Sequence, residues 1–151
     1  MGHDRRGGPS PISEDGGYND VTYDASPKEA TVETETYINS HNTDNNSAGI
    51  RFRFQDIDNH YVCGISTNRN DFWVNKHIDG NIYNVATVNV DNSLSNGSFF
   101  TQKLQMVETD SGLQFILSID GTTEAQITDT NPHFNDGGAV GVGMKGDDGD
   151  A

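Results

Sequence analysis

Trp73 is the only tryptophan in the chain, and it stands in the run Asp71-Phe72-Trp73-Val74-Asn75-Lys76-His77, where rings and polar side chains are interleaved. A flat indole can lie against the C–H face of a sugar ring while polar neighbours bond the hydroxyls. By residue type, Trp73, Tyr61, Tyr83 and His77 are candidates for such a stacking surface, with Asn75, Asn81, Arg51 and Arg53 as its polar edge. The competing role for Trp73 is a packed core residue, and the sequence leaves both open.

Other chemistry has weaker support. Calcium takes about six to eight oxygens, commonly from Asp, Asn and backbone carbonyls on loops. Residues 56–59, 129–136 and 147–150 are rich in these groups, and none has the spacing of an EF-hand loop. Asp56, Asp58 and Asn59 read more simply as turn-formers. Asp147, Asp148 and Asp150 form either a calcium loop or a frayed acidic tail, the tail being the simpler reading. The five histidines, at 3, 41, 60, 77 and 133, are too widely spaced to suggest a zinc site. Cys63 is the only cysteine, so no intrachain disulfide can form, and its place inside an apolar strand reads as a core thiol rather than a nucleophile. No Ser-His-Asp arrangement is implied.

Composition narrows the partners. Nine basic against 23 acidic side chains give a formal charge of −14, which disfavours nucleic acid phosphates and anionic membrane surfaces. No apolar run reaches the ~18 residues of a transmembrane helix, so membrane insertion is not expected. Only 32% of residues are hydrophobic while 17 are glycine, a balance that points to many turns and short strands.

The elements that would position the candidates follow from period-two patterning. In residues 48–66, Ile50, Phe52 and Phe54 alternate with Arg51 and Arg53, which assigns the apolar groups to one sheet face and the guanidinium groups to the other. A polar run at 55–60 reverses the chain into a second strand at 61–66. Further strands are predicted at 18–23, 31–39, 71–76, 82–90, 99–107, 113–119, 122–128 and 139–144, with Asp79-Gly80, Ser111-Gly112 and Asp120-Gly121 as turns. In the 139–144 strand large residues alternate with glycines, which suits a strand that another layer approaches closely. Residues 1–17 read as a flexible leader, a junction or a cut inside a longer chain, 18–146 as one domain, and 147–151 as an acidic tail. About nine strands and no helix imply an all-β, two-sheet antiparallel sandwich. Its shared core is expected to hold Phe52, Phe54, Leu104, Met106, Phe115, Leu117, Val140 and Val142.

The motifs AGIRFRFQDIDNHYVCGIS, DFWVNK and LQFILSIDGTTEAQITDTNPHFNDGGAVGVGM, in this order, resemble the laminin G-like and concanavalin A-like jelly rolls of bacterial extracellular proteins. The resemblance covers about 30–146 and implies the jelly-roll fold more than any one activity. Such domains usually continue past the Gly-Val-Gly strand into a closing strand, whereas this sequence passes into Lys145-Gly-Asp-Asp-Gly-Asp-Ala151. The segment 17–24, a region absent here, or another chain would then close the sheet, the last being a route to self-association through an open edge. Hydrolases of this fold carry a Glu-x-Asp-x-Glu arrangement; Glu33 and Glu35 are the only such strand pair, VETETY lacks the third acid, and no catalytic residue is expected.

The function these readings imply is a non-catalytic carbohydrate-binding module of a larger secreted or cell-surface protein, with a glycan or cell-surface partner and calcium as the only cofactor to consider. The rival readings are a structural or adhesive module assembling by strand complementation, as in a filament or surface layer, and a fragment of a glycoside hydrolase or polysaccharide lyase.

Overall fold

The computed structural model of the chain describes residues 9–14, 18–23, 28–37, 47–66, 69–90 and 97–145. Asp147, Asp148 and Asp150, the rest of the expected leader and most of the polar loops around 41–47 and 91–98 lie outside the described residues. The described residues form strands β1 (Pro9–Glu14), β2 (Tyr18–Tyr23), β3 (Ala30–Tyr37), β4 (Ser47–Asp56), β5 (Asn59–Ser66), β6 (Asp71–Ile78), β7 (Asn81–Asn89), β8 (Phe99–Thr109), β9 (Gly112–Ile119), β10 (Thr122–Asp129) and β11 (Ala139–Lys145). A seven-stranded sheet in the order β1-β2-β11-β4-β5-β6-β7 packs on a four-stranded sheet in the order β10-β9-β8-β3, and the strand pairs are antiparallel.

Turn chemistry sets the hairpins. Asp79 and Gly80 have φ of 50° and 78°, and Asp120 and Gly121 have 47° and 85°. Two consecutive left-handed residues make the type I′ turn whose twist matches the flanking strands, and Asp-Gly tolerates it best. β6 therefore passes directly into β7, and β9 into β10.

The inner sheet faces bury Ile50, Phe52, Cys63, Ile65, Phe72 and Val74 from one sheet against Leu104, Met106, Leu113, Phe115 and Leu117 from the other. Phe52 and Phe115 meet at 6.1 Å between ring centroids. Cys63 is buried as expected, and burial pushes its thiol well above the usual range. Val140 joins this core and Val142 packs against it.

Phe54 does not belong to the core, which corrects the alternation expected for β4. The register of β4 against β5 shifts after Phe52, and Arg53 has φ 49°. Against β11 the same stretch carries one extra residue, three steps from Arg51 to Phe54 facing two from Gly141 to Ala139, so the side chain after the bulge changes face. Arg53 turns inward and is fully buried, while Phe54 turns outward. Gly138 permits this path, because a Cβ there would collide with the Arg53 carbonyl group. The expected leader is corrected in part as well, since Pro9–Glu14 pairs with β2 along its length. Its prolines are two apart, so their missing N–H groups fall on one side of the strand, which an edge position allows. β2 in turn pairs with β11, so the segment 18–23 covers the edge that the Gly-Val-Gly strand would otherwise leave open.

Candidate functional site

Antiparallel register decides which candidate side chains share a face, since directly opposed residues point the same way. Ile50, Phe52, Tyr61, Cys63, Phe72 and Val74 point inward, so Arg51, Val62, Trp73, Asn75 and His77 stand on the outer face of the seven-stranded sheet. Trp73 is partly buried there, outside the core. Its partner on β5 is Gly64, which pairs with Gly49 on β4, which pairs with Gly143 on β11. A strip without side chains therefore extends from the indole across three strands. On the other side Trp73 faces Thr87 of β7.

One row along, Arg51, Val62, Asn75 and Asn84 are successive partners across β4 to β7. Asn84 Nδ2 donates to Asn75 Oδ1 at 2.8 Å and to Thr87 Oγ1 at 3.2 Å, which fixes an amide cluster beside the indole. The next row is aromatic. His60 opposes His77, their rings stacked at 4.2 Å, and Phe54 lies against His60 at 5.4 Å. The Arg51 guanidinium carbon is 5.7 Å from the centre of the Phe54 ring. Burial foremost, then the positive charge of His77 and Arg51, lowers the pKa of His60 to about 3. Ile82, opposite His77 on the edge strand, is 64% exposed.

Several candidates lie elsewhere. Tyr83 opposes Lys76 and Asn81 opposes Ile78, positions that face away from Trp73. The register shift between Val74 and Asn75 separates them from the row of Asn84 and Thr87, which composition alone did not single out. Tyr61 is a core residue, 5.3 Å from Phe115 between ring centroids. Arg53 works inside the protein. Its Nε and Nη2 donate to Lys28 O at 3.2 and 2.9 Å, Nη1 to His133 O and Asn135 Oδ1 at 3.2 Å each, and Nη2 to Glu108 Oε1 at 2.9 Å. Those five bonds use every guanidinium N–H.

A second buried network ties the two sheets together. Lys76 Nζ donates to Asp129 Oδ2 and to Asn131 O, each at 2.9 Å, and Tyr61 Oη donates to Asp129 Oδ2 at 2.6 Å. The His133 N–H returns to Tyr61 Oη at 2.8 Å. Burial pushes the Asp129 carboxyl up, but the hydrogen bonds from Tyr61, Lys76 and Asn131 outweigh it and hold the group below its ordinary range. Glu33 and Glu35 lie exposed on the outer side of β3. Asp58 N and Asn59 Nδ2 both donate to Asp56 Oδ1, at 2.8 and 3.0 Å, which is a turn-forming arrangement. Among the described residues no three His, Cys, Asp or Glu side chains gather as a metal site.

A seven-plus-four antiparallel sandwich closed by its own N-terminal strand is a jelly roll of the concanavalin A-like kind. No protein-family model matches the sequence, and no curated protein resembles it in sequence. Solved structures do share the fold. The carbohydrate binding module CBM66 from Bacillus subtilis superposes with a TM-score of 0.66 at 16% identity, over 92% of this chain and 84% of that one. A sheep galectin-11, in complex with glycerol, gives 0.58 at 10% identity, over 93% and 95%. An endo-1,3-beta-glucanase from Streptomyces sioyaensis gives 0.51 at 12% identity over 83% of this chain, which spans 58% of the glucanase.

Proposed function

We propose that this protein is a non-catalytic carbohydrate-recognition module that takes a glycan on the outer face of its seven-stranded sheet. The observation that carries this reading is the setting of Trp73, outside the core and between the glycine strip and the hydrogen-bonded Asn75-Asn84-Thr87 cluster. An aromatic face beside fixed amides provides both parts of sugar recognition, stacking on the ring and bonds to its hydroxyls. His77 extends the polar edge, while Arg51 is buried, and Arg53, Tyr83 and Asn81 have no part in it. The names of two structural neighbours, a carbohydrate binding module and a galectin, agree with the reading. A module of this kind belongs to a secreted or cell-surface protein.

A glycan array run with and without calcium identifies the ligand class. Because Trp73 is the sole tryptophan, a bound sugar should change the intrinsic fluorescence of the protein. Trp73→Ala should abolish binding with the melting midpoint preserved. A variant that unfolds, or one that binds as the wild type does, would return Trp73 to a structural role.

A further inference from the structure

The outer face of the seven-stranded sheet is not equally open across its width. On β4 and β5 it is largely covered, with Arg51, His60, Gly64 and Ser66 buried and Val62 half-buried. Asp71, at the head of β6, is buried as well. Past Asp71 the face opens toward the sheet edge, where Trp73, Asn75 and His77 of β6 are half-buried and Ile82, Asn84 and Thr87 of β7 are exposed. The accessible part is therefore a band two strands wide that runs along β6 and β7, with covered strands on one side and the edge of the sheet on the other.

A bulge builds the middle of this band. Residues three apart on a regular strand point to opposite faces, yet Asn84 and Thr87 pair with Asn75 and Trp73, which are two apart and share a face. The extra residue in β7, at the register shift opposite Val74 and Asn75, brings both side chains to the outer face. Asn84 Nδ2 then donates to Asn75 Oδ1 and Thr87 Oγ1. Those bonds use the donor of one amide and the acceptor of the other, so Asn75 Nδ2 and the Thr87 hydroxyl hydrogen are left to donate and Asn84 Oδ1 to accept. Donors and an acceptor side by side match neighbouring hydroxyls on one sugar ring, since each hydroxyl can do both.

Given the reading of this face as a glycan site, we infer that its ligand is a linear oligosaccharide of at least three units lying along β6 and β7, with one ring on Trp73, the next on the Asn75 and Asn84 amides and a third on Ile82 beside His77. Ile82 is 64% exposed and opposes His77 at the far end of the band. From the Trp73 row to the His77 row is four residues of β6, about 13 Å at the usual rise, more than a disaccharide covers. A chain laid across the strands would instead run onto β5, whose outward polar side chains, His60 and Ser66, are buried.

The wild-type protein is titrated calorimetrically with cello-, laminari-, malto- and inulin-type oligosaccharides of one to six units. In the series that binds, affinity should rise up to three units, by about fivefold or more at the step from two to three, where Ile82 becomes covered. Beyond three it should level off, apart from the statistical gain of extra binding frames. Ile82→Ser, at an exposed position, should keep the melting midpoint and the disaccharide affinity while removing that step. Saturation at one or two units, a continued climb well beyond three, or a step that survives Ile82→Ser would overturn this inference and leave the glycan face in place, provided that Trp73→Ala still abolishes binding. Binding that survives Trp73→Ala, or no binding in any series, would reject the glycan face with it.

Discussion

Arg53 spends all five of its N–H groups on the strand ends and loop that close one end of the sandwich. Arg53→Met should cost about 3 kcal/mol in a denaturant titration, because the carbonyls of Lys28 and His133 would be left unpaired. Phe115→Ala, in the core, should cost about 3–5 kcal/mol, and Phe54→Ala distinctly less, because Phe54 packs on the outer face. His60 makes a prediction in pH. Its pKa is about 3 when folded and about 6.5 when unfolded, so between these values the unfolded chain binds one more proton. Stability should thus fall with acidification across that window by about 1.4 kcal/mol per pH unit, and His60→Phe should flatten that part of the profile. Asp129 acts in the same direction at lower pH, since its depressed pKa gives stability that is lost as pH falls through the folded value.

Element by element, the β2–β11 ladder is what closes the larger sheet. Deleting residues 1–24 should expose the edge of β11 and produce aggregation or a lower melting midpoint. Deleting residues 1–16 removes β1 but keeps β2, and should leave the protein monomeric on size-exclusion chromatography. Aggregation of the shorter variant would mean that β1 shields the edge. The hairpins were legible because Asp79-Gly80 and Asp120-Gly121 name their own turn, and the alternation of β3, β8 and β9 survives in their burial. The face beside Trp73 was half legible. Trp73, Asn75 and His77 alternate on one strand, but Asn84 and Thr87 come from a strand whose register slips by one residue, and local patterning carries no signal for a slip. The bulge at Arg53 was hidden for the same reason, since the space it needs is left by Gly138, far along the chain. His60 was hidden by its polar type, although it is fully buried.

For the whole molecule, a charge of −14 sets the outer limits of what can bind. If the ligand is a neutral glycan, raising salt from about 0.01 to about 1 M, which shortens the screening length from about 30 to about 3 Å, should leave affinity within about twofold in calorimetry. A steep salt dependence would point to an ionic partner. The pairing of β2 with β11 also governs the response to tension. Tyr18 at the leading end of β2 opposes Lys145 at the trailing end of β11, and Glu14 opposes Tyr18 while Pro9 opposes Tyr23. A force applied between the two ends of the chain enters β1 at Pro9 and β11 at Lys145, which the register places at opposite ends of the three-strand ladder. The cross-strand bonds then lie across the pull and are loaded together rather than one after another. Drawn out by its termini, the domain would resist as a shear clamp instead of unzipping one rung at a time at low force.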